Sequence, residues 1–140
     1  MEMTIAQRLK TYINAELGDS ALYKELAKCA PNEEYRKLLL EFAEDELSHA
    51  VDFMCILKQM TCEKYDPQIN PPVFKESFNN ILRDRVLDES GDFRKYGEQF
   101  IQTQCNIPLR NAYYRARTDE NVHALRLLYM LSNADNQYYK

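Results

Sequence analysis

The stretch DELSHA at residues 45–50 returns as DENVHA at residues 119–124, and this repeat decides how the chain folds. The two stretches hold the only histidines of the protein, His49 and His123. Each histidine follows a glutamate by three residues, so both side chains of a pair project from the same side of a helix. A doubled Glu-x-x-His is typical of a four-helix bundle whose metal ligands point inward.

A second repeated pattern lies about 30 residues before each of these motifs. It consists of a glutamate, an aspartate three residues later and a tyrosine four residues after that. Its two copies are Glu16, Asp19, Tyr23 and Glu89, Asp92, Tyr96. Thirty residues separate Glu16 from Glu46, and 31 separate Glu89 from Glu120. The chain therefore repeats one helical hairpin twice, and each copy contributes two glutamates and one histidine.

The composition favours a single helical domain. The 140 residues are 45% hydrophobic and include only three glycines, which suits long helices. The net charge of −4 does not indicate a nucleic-acid partner. No apolar run is long enough to cross a membrane, and the N-terminus lacks the pattern of a signal peptide. We therefore expect no membrane association and a cytoplasmic location.

Four cysteines are present, and none belongs to a Cys-x-x-Cys pair. They are Cys29, Cys55, Cys62 and Cys105. Without such pairs the sequence encodes no zinc ribbon and no rubredoxin-type iron site. Because free cysteine is among the most buried residue types, we expect four buried thiols.

One domain over residues 1–140 is predicted, with a helical hairpin at 4–62, a crossover at 63–76 and a second hairpin at 77–136. The four helices are expected near 4–29, 32–62, 77–104 and 108–136, and residues 73–76 are a candidate extra turn. Thr4 and Gln7 form a predicted capping box at the first helix. Pro71 and Pro72 exclude a continuous helix through the crossover.

The candidate ligands fall within the apolar stripes of the predicted helices. The stripes are Ile5, Leu9, Tyr12, Glu16, Asp19, Tyr23 and Ala27; Tyr35, Leu38, Phe42, Glu46, His49, Phe53, Ile56 and Met60; Phe78, Leu82, Arg85, Glu89, Asp92, Tyr96 and Phe100; and Leu109, Ala112, Ala116, Glu120, His123, Leu127, Met130 and Ala134. Buried carboxylates are costly without a partner, and clustered carboxylates repel one another. Two divalent cations would balance four of them, which predicts a two-metal site. Oxygen and nitrogen ligands suit iron or manganese, including a mixed pair.

The connection between the hairpins has to run the length of the bundle if all six ligands are to meet. About 16 residues reach roughly 50 Å when extended, against a span of roughly 40 Å. A crossover within one chain is therefore feasible, and a swapped dimer is the alternative.

Arg85, which stands where the first repeat has Tyr12, requires a carboxylate partner or must reach the surface.

This pattern resembles the ferritin-like superfamily, and within it the rubrerythrin-like di-iron proteins, over nearly the whole chain. The resemblance implies an all-α ferritin-like four-helix bundle. It also implies two iron ions bound by Glu16, Glu46, His49, Glu89, Glu120 and His123. The tyrosine seven residues after the first glutamate, Tyr23, is a further feature of that family.

The resemblance also suggests roles for residues around the ligands. Asp92 stands where rubrerythrins usually carry an extra glutamate, which makes it a candidate metal ligand, and Asp19 is its counterpart; both are alternatively acceptors beside the site or solvent-facing acids. Asp45 and Asp119 are expected to hold the ligand histidines by their second nitrogen, unless they are ordinary surface acids. Tyr23 and Tyr96 are expected to bond to ligand carboxylates or only to pack.

The function that the resemblance implies is a redox enzyme that reduces hydrogen peroxide to water. Because no rubredoxin-type site is encoded, the electrons would come from a separate donor protein such as a rubredoxin. A homodimer is expected. The alternatives are a ferroxidase that handles iron, a metal-stapled structural bundle without turnover, and oxidation of an organic substrate by dioxygen near Ala112 and Ala116.

Overall fold

The computed structural model describes residues 1–135 and contains four α-helices and no strand within that range. The helices are α1 at Ile5–Lys28, α2 at Glu33–Thr61, α3 at Phe78–Gln102 and α4 at Ile107–Asp135. They begin and end within two residues of the predicted positions, except that the predicted end of the last helix at 136 lies outside the described residues. The side chain of Ala134 is likewise outside them.

The helix starts follow from local sequence. Thr4 and Gln7 form the predicted capping box, in which Thr4 Oγ1 accepts from the Gln7 N–H at 3.1 Å and Gln7 Oε1 accepts from the Thr4 N–H at 2.9 Å. Asn32 caps α2 and Ser77 caps α3 in the same way, through a side-chain oxygen. Residues 73–76 add no helical turn, because α3 begins only after the Ser77 cap.

The interior is a polar layer between two apolar clusters. One cluster includes Leu9, Phe53 and Tyr113, and the other includes Leu39, Phe42 and Leu127. The buried polar side chains lie between them; they are Glu16, Ser20, Glu46, His49, Arg85, Glu89, Glu120 and His123. This arrangement places the candidate ligands in a dry layer at mid-bundle.

The crossover passes along the bundle within one chain. Near its start, the Tyr65 hydroxyl donates to Asn14 Oδ1 at 2.9 Å, and the ring packs against the first apolar cluster. Near its end, Phe74 packs against the second cluster. The segment therefore connects the two ends of the bundle, and the structure has the unswapped arrangement.

Two expectations about burial are wrong. All four cysteines are exposed, because Cys29 and Cys62 occupy helix C-caps, Cys105 lies in the α3–α4 connection and Cys55 is on the outer side of α2. Ile5 and Met60 are also exposed. These last two stand at the ends of their stripes, where the packed bundle stops covering them. No described helix combines the length and apolarity needed to span a membrane.

Leu82 and Leu87 on α3 provide a matched pair for testing the core. The Leu82 side chain is 0% exposed, whereas that of Leu87 is 71% exposed. We expect Leu82→Ala to lower the free energy of unfolding by about 2–5 kcal/mol, through lost burial and the remaining cavity. Leu87→Ala should change it by less than about 0.5 kcal/mol. Urea denaturation followed by circular dichroism measures both, and equal losses would contradict this packing.

Candidate metal centre

Six side chains from the four helices form two overlapping groups. The first is Glu16, Glu46, His49 and Glu120, and the second is Glu46, Glu89, Glu120 and His123. Within each group, one ligand atom per residue lies within 4.8 Å of all the others. Glu46 and Glu120 belong to both groups. This is the arrangement expected of two metal positions that share two bridging carboxylates.

The six residues are at most 1% exposed, and several of their polar side-chain atoms have no hydrogen-bond partner among the described residues. The atoms without a partner include both carboxylate oxygens of Glu46, both of Glu120 and the Oε2 atom of Glu89. His123 Nδ1 lies 3.0 Å from Glu46 Oε1, but the geometry is not that of a hydrogen bond. Such orphaned buried atoms are very unfavourable unless a cation binds among them, so the donor set suits two divalent metal ions.

The two histidines are oriented by aspartates of the opposite hairpin. His49 Nε2 lies 2.7 Å from Asp119 Oδ2, and His123 Nε2 lies 2.9 Å from Asp45 Oδ2. These bonds turn the Nδ1 atoms inward, and His49 Nδ1 lies 3.3 Å from Glu120 Oε1. An acceptor on the outer nitrogen fixes the tautomer that leaves the inner nitrogen free for a metal. Asp45 and Asp119 thus lie where the sequence suggested, each serving the histidine of the other motif.

Two buried tyrosines bond to the outer glutamates, also across the hairpins. The Tyr23 hydroxyl donates to Glu89 Oε1, and the Tyr96 hydroxyl donates to Glu16 Oε1. Each bond occupies one oxygen of its carboxylate. The second oxygen remains available on the side of the cluster, which suits Glu16 and Glu89 to bind a metal through one oxygen.

The structure does not bring Asp19 or Asp92 into either group. Asp19 Oδ2 lies 3.0 Å from Arg85 Nη2, and Asp92 Oδ1 lies 2.9 Å from Lys95 Nζ. Both aspartates are partly exposed, which places them at the rim of the polar layer. Their carboxylates are paired with cations there, so the structure gives no support to Asp92 as a metal ligand.

Arg85 has the carboxylate partners that its position requires. Besides Asp19, its Nη2 atom lies 3.0 Å from Glu89 Oε1, and its Nε atom donates to the Tyr23 hydroxyl at 3.1 Å. The guanidinium is therefore part of the hydrogen-bonding shell of the candidate ligand Glu89. It reaches the cluster instead of the solvent.

Two further residues at the site were missed by sequence reasoning. Lys95 pairs with Asp92, and the i, i+3 spacing of the two on one helix could have revealed this. The Phe42 ring packs on the His123 ring at a centroid distance of 4.3 Å. No local signal distinguishes Phe42 from an ordinary core residue, because that contact joins α2 to α4.

Burial and mutual repulsion shift the ionisation of the metal-free cluster. Burial, reinforced by the neighbouring Glu46 carboxylate, raises the pKa of Glu16 to about 8. The same two causes raise the pKa of Glu120 well above its usual range. Burial alone would lower the pKa of His123, but the carboxylates of Asp45 and Glu46 outweigh it and raise that pKa to about 11. Without a metal, protons neutralise part of the carboxylate charge.

A family model described as rubrerythrin matches residues 8–81, which include Glu16, Glu46 and His49. This span is more than half of the chain. The chain belongs to the rubrerythrin family. Together with membership of this family, the two groups of carboxylates and histidines support the assignment of the chain as a di-iron carboxylate protein.

Two comparisons cover most of the chain. The chain is 26% identical over 129 residues to an uncharacterized protein, YhjR, of Bacillus subtilis (strain 168), a match that covers 91% of this chain and 86% of that protein. The fold of the present chain is similar to that of nigerythrin in a fully reduced, all-ferrous state, with a TM-score of 0.79. The two sequences are 24% identical, and the match covers 96% of this chain and 69% of the nigerythrin chain. The second match confirms the predicted all-α ferritin-like fold.

Metal binding by this rubrerythrin-family cluster should release protons and strengthen as the pH rises. At pH 7 the metal-free Glu16 and His123 hold protons, since their pKa values are raised to about 8 and about 11. A metal has to displace those protons, so affinity should fall about tenfold per pH unit for each proton released as the pH drops from about 8 to 6. Calorimetric titration in two buffers of different ionisation enthalpy counts the protons. Affinity independent of pH would contradict the displacement.

The aspartates behind the histidines should control metal affinity. We expect Asp45→Asn and Asp119→Asn each to weaken metal binding about 10–100-fold, because the histidine loses the acceptor that fixes its ring and tautomer. The matched control is Glu44→Gln, which changes an exposed acid on the same helix as Asp45. Competition with a chromophoric chelator gives the affinities. An Asp45→Asn protein with the affinity of the control would show that the contact is only structural.

Proposed function

We propose that the protein is a di-iron oxidoreductase that reduces hydrogen peroxide to water, with electrons from a separate donor protein. The observation that carries the proposal is the pair of ligand groups sharing Glu46 and Glu120 in a buried layer. Each group contains three carboxylates and one imidazole. Oxygen and nitrogen ligands of this kind suit iron or manganese, and membership of the rubrerythrin family favours iron.

The two ferrous ions, when bound, supply the two electrons that convert one hydrogen peroxide and two protons into two water molecules. The contribution of the chain is positioning. The Tyr23 and Tyr96 hydroxyls keep their protons on Oη, directed at Glu89 and Glu16, because burial raises both tyrosine pKa values far above the usual range. These bonds hold the outer glutamates in place. Among the described residues neither Glu46 nor Glu120 accepts a hydrogen bond, so their oxygens would be available to hold both metal positions.

The apolar clusters on both sides of the site limit the access of larger molecules. Ala116, which the sequence marked as space for an organic substrate, packs in a cluster with Tyr12, Phe53 and Tyr113. Aromatic rings therefore fill the region beside it. A small oxidant such as peroxide suits this site better than an organic substrate does.

The partners and the location of the protein are predicted from the sequence. A separate donor such as a rubredoxin, a homodimer and a cytoplasmic location stay predictions from the sequence. A donor protein has to approach from outside, because the ligands themselves are buried. The same six ligands would also serve a ferroxidase or a metal-stapled bundle, and the following experiment separates these from a peroxide reductase.

Anaerobic protein loaded with two ferrous ions per chain should be oxidised much faster by hydrogen peroxide than by dioxygen. We expect one peroxide to be consumed per two irons, as the electron balance requires. Stopped-flow absorption after mixing with peroxide or with dioxygenated buffer measures both rates.

The control for this experiment is Glu46→Ala, which removes a shared ligand and should abolish the fast phase together with most of the bound iron. Oxidation as fast or faster with dioxygen would favour a ferroxidase. Iron that is bound but oxidised by neither would favour the structural bundle. Equal iron content in the wild type and Glu46→Ala would contradict the ligand assignment.

A further inference from the structure

The two halves of the metal centre follow one repeated pattern, and this pattern breaks at Arg85. Tyr12 stands four residues before Glu16, and Arg85 stands four residues before Glu89. The Tyr12 ring packs against the Tyr96 ring at a centroid distance of 5.3 Å and belongs to an apolar cluster. One half of the centre therefore has an uncharged ring where the other half has a guanidinium group.

Arg85 binds directly to a candidate ligand. Its side chain is 7% exposed, and Nη2 lies 3.0 Å from Glu89 Oε1, the oxygen that also accepts from the Tyr23 hydroxyl. The remaining oxygen, Glu89 Oε2, has no hydrogen-bond partner among the described residues. A charge-assisted bond of this kind draws negative charge toward the guanidinium and holds the carboxylate in one orientation.

The other half has a cation as well, but that cation does not bond to a ligand. Lys95 is 32% exposed and forms its ion pair with Asp92, while its Nζ atom lies over the rings of Tyr12 and Tyr96. Within residues 1–135 no ion pair joins Lys95 to Glu16. Glu16 Oε1 accepts from the Tyr96 hydroxyl. The positive charge at this half is thus farther from the ligand and better screened by water.

We propose that Arg85 makes the two metal positions unequal, so that a divalent cation fills the position of Glu16 and His49 before that of Glu89 and His123. A buried guanidinium beside Glu89 repels an incoming dication, and this repulsion is strong where water is excluded. Asp19 and Asp88, whose Oδ2 atom lies 3.2 Å from Arg85 Nη1, offset part of the charge, but they are 19% and 60% exposed and therefore more screened than Glu89. The inference rests on the two-metal site of the proposed function and does not depend on peroxide reduction.

Anaerobic calorimetric titration of the full chain with Mn²⁺ tests this order through the two outer ligands. We expect two binding steps in the wild type. Glu16→Gln should weaken the first step by about tenfold or more, which corresponds to about 1.4 kcal/mol. Glu89→Gln should leave the first step almost unchanged and weaken the second. Electron paramagnetic resonance at one equivalent should show mainly isolated Mn²⁺ in the wild type.

A paired substitution tests the role of Arg85 itself. Arg85→Met combined with Asp19→Asn removes the cation together with the more buried of its two aspartate partners, and we expect the second step to strengthen about tenfold relative to the first. Arg85→Lys, which keeps a cation, should retain the wild-type order. The matched control is Lys95→Met with Asp92→Asn, which should change the ratio of the two affinities much less. Thermal unfolding of the metal-free proteins checks that each variant is folded.

Several results would overturn the proposal. One is a first step weakened by Glu89→Gln and not by Glu16→Gln. Another is an unchanged affinity ratio in the folded Arg85→Met/Asp19→Asn protein. A wild type with two equal steps and intact peroxide reactivity would contradict only the order of filling. A wild type that binds neither Mn²⁺ nor Fe²⁺ would contradict the proposed function as well.

Discussion

Four buried carboxylates repel one another at the centre of the bundle, and the contacts around them have to hold them together. Glu16, Glu46, Glu89 and Glu120 lie together in a layer that water does not reach. Such a cluster is unfavourable unless cations or protons neutralise it. Burial and the neighbouring Glu46 carboxylate raise the pKa of Glu16 and Glu120, which favours protons in that role in the metal-free state. Two divalent metals can neutralise the same charge without them, which connects the fold directly to metal binding.

The polar groups around the cluster hold it together across the two hairpins. Asp45 and Asp119 each orient the histidine of the opposite motif, and Tyr23 and Tyr96 each bond to the glutamate of the opposite repeat. Each hairpin thus supplies the hydrogen bonds that orient the ligands of the other hairpin. Arg85 bonds to a ligand glutamate in only one half, so a repeated sequence produces a centre with unequal surroundings.

Much of the fold and of the cluster could be predicted from the sequence, because both follow from local spacing. The four helices, the Thr4 capping box and the six converging glutamates and histidines depend on periods of three, four and about 30 residues. The pairing of Asp45 with His123 could not be predicted, since it depends on how α2 packs against α4. The sequence left open whether Asp92 points inward or lies at the rim, because the two positions differ by only a small rotation, and the structure places it at the rim beside Lys95. The burial of the cysteines was predicted wrongly, because a general tendency toward burial does not tell whether a given residue lies at a helix end, in a connection or on the outer side of a helix.

The contacts between the hairpins also have a consequence for the order in which the chain folds. The bonds from the two tyrosines join residues 66 and 80 positions apart, and the bonds to the two histidines join residues 70 and 78 apart. Contacts so distant along the chain form slowly, because a long loop has to close first, whereas each antiparallel hairpin is built from nearer neighbours. The hairpins are therefore expected to form first and dock afterwards. The metal centre is then expected to be the last region to assemble, and a metal ion would meet a complete set of ligands only in a chain that has finished folding.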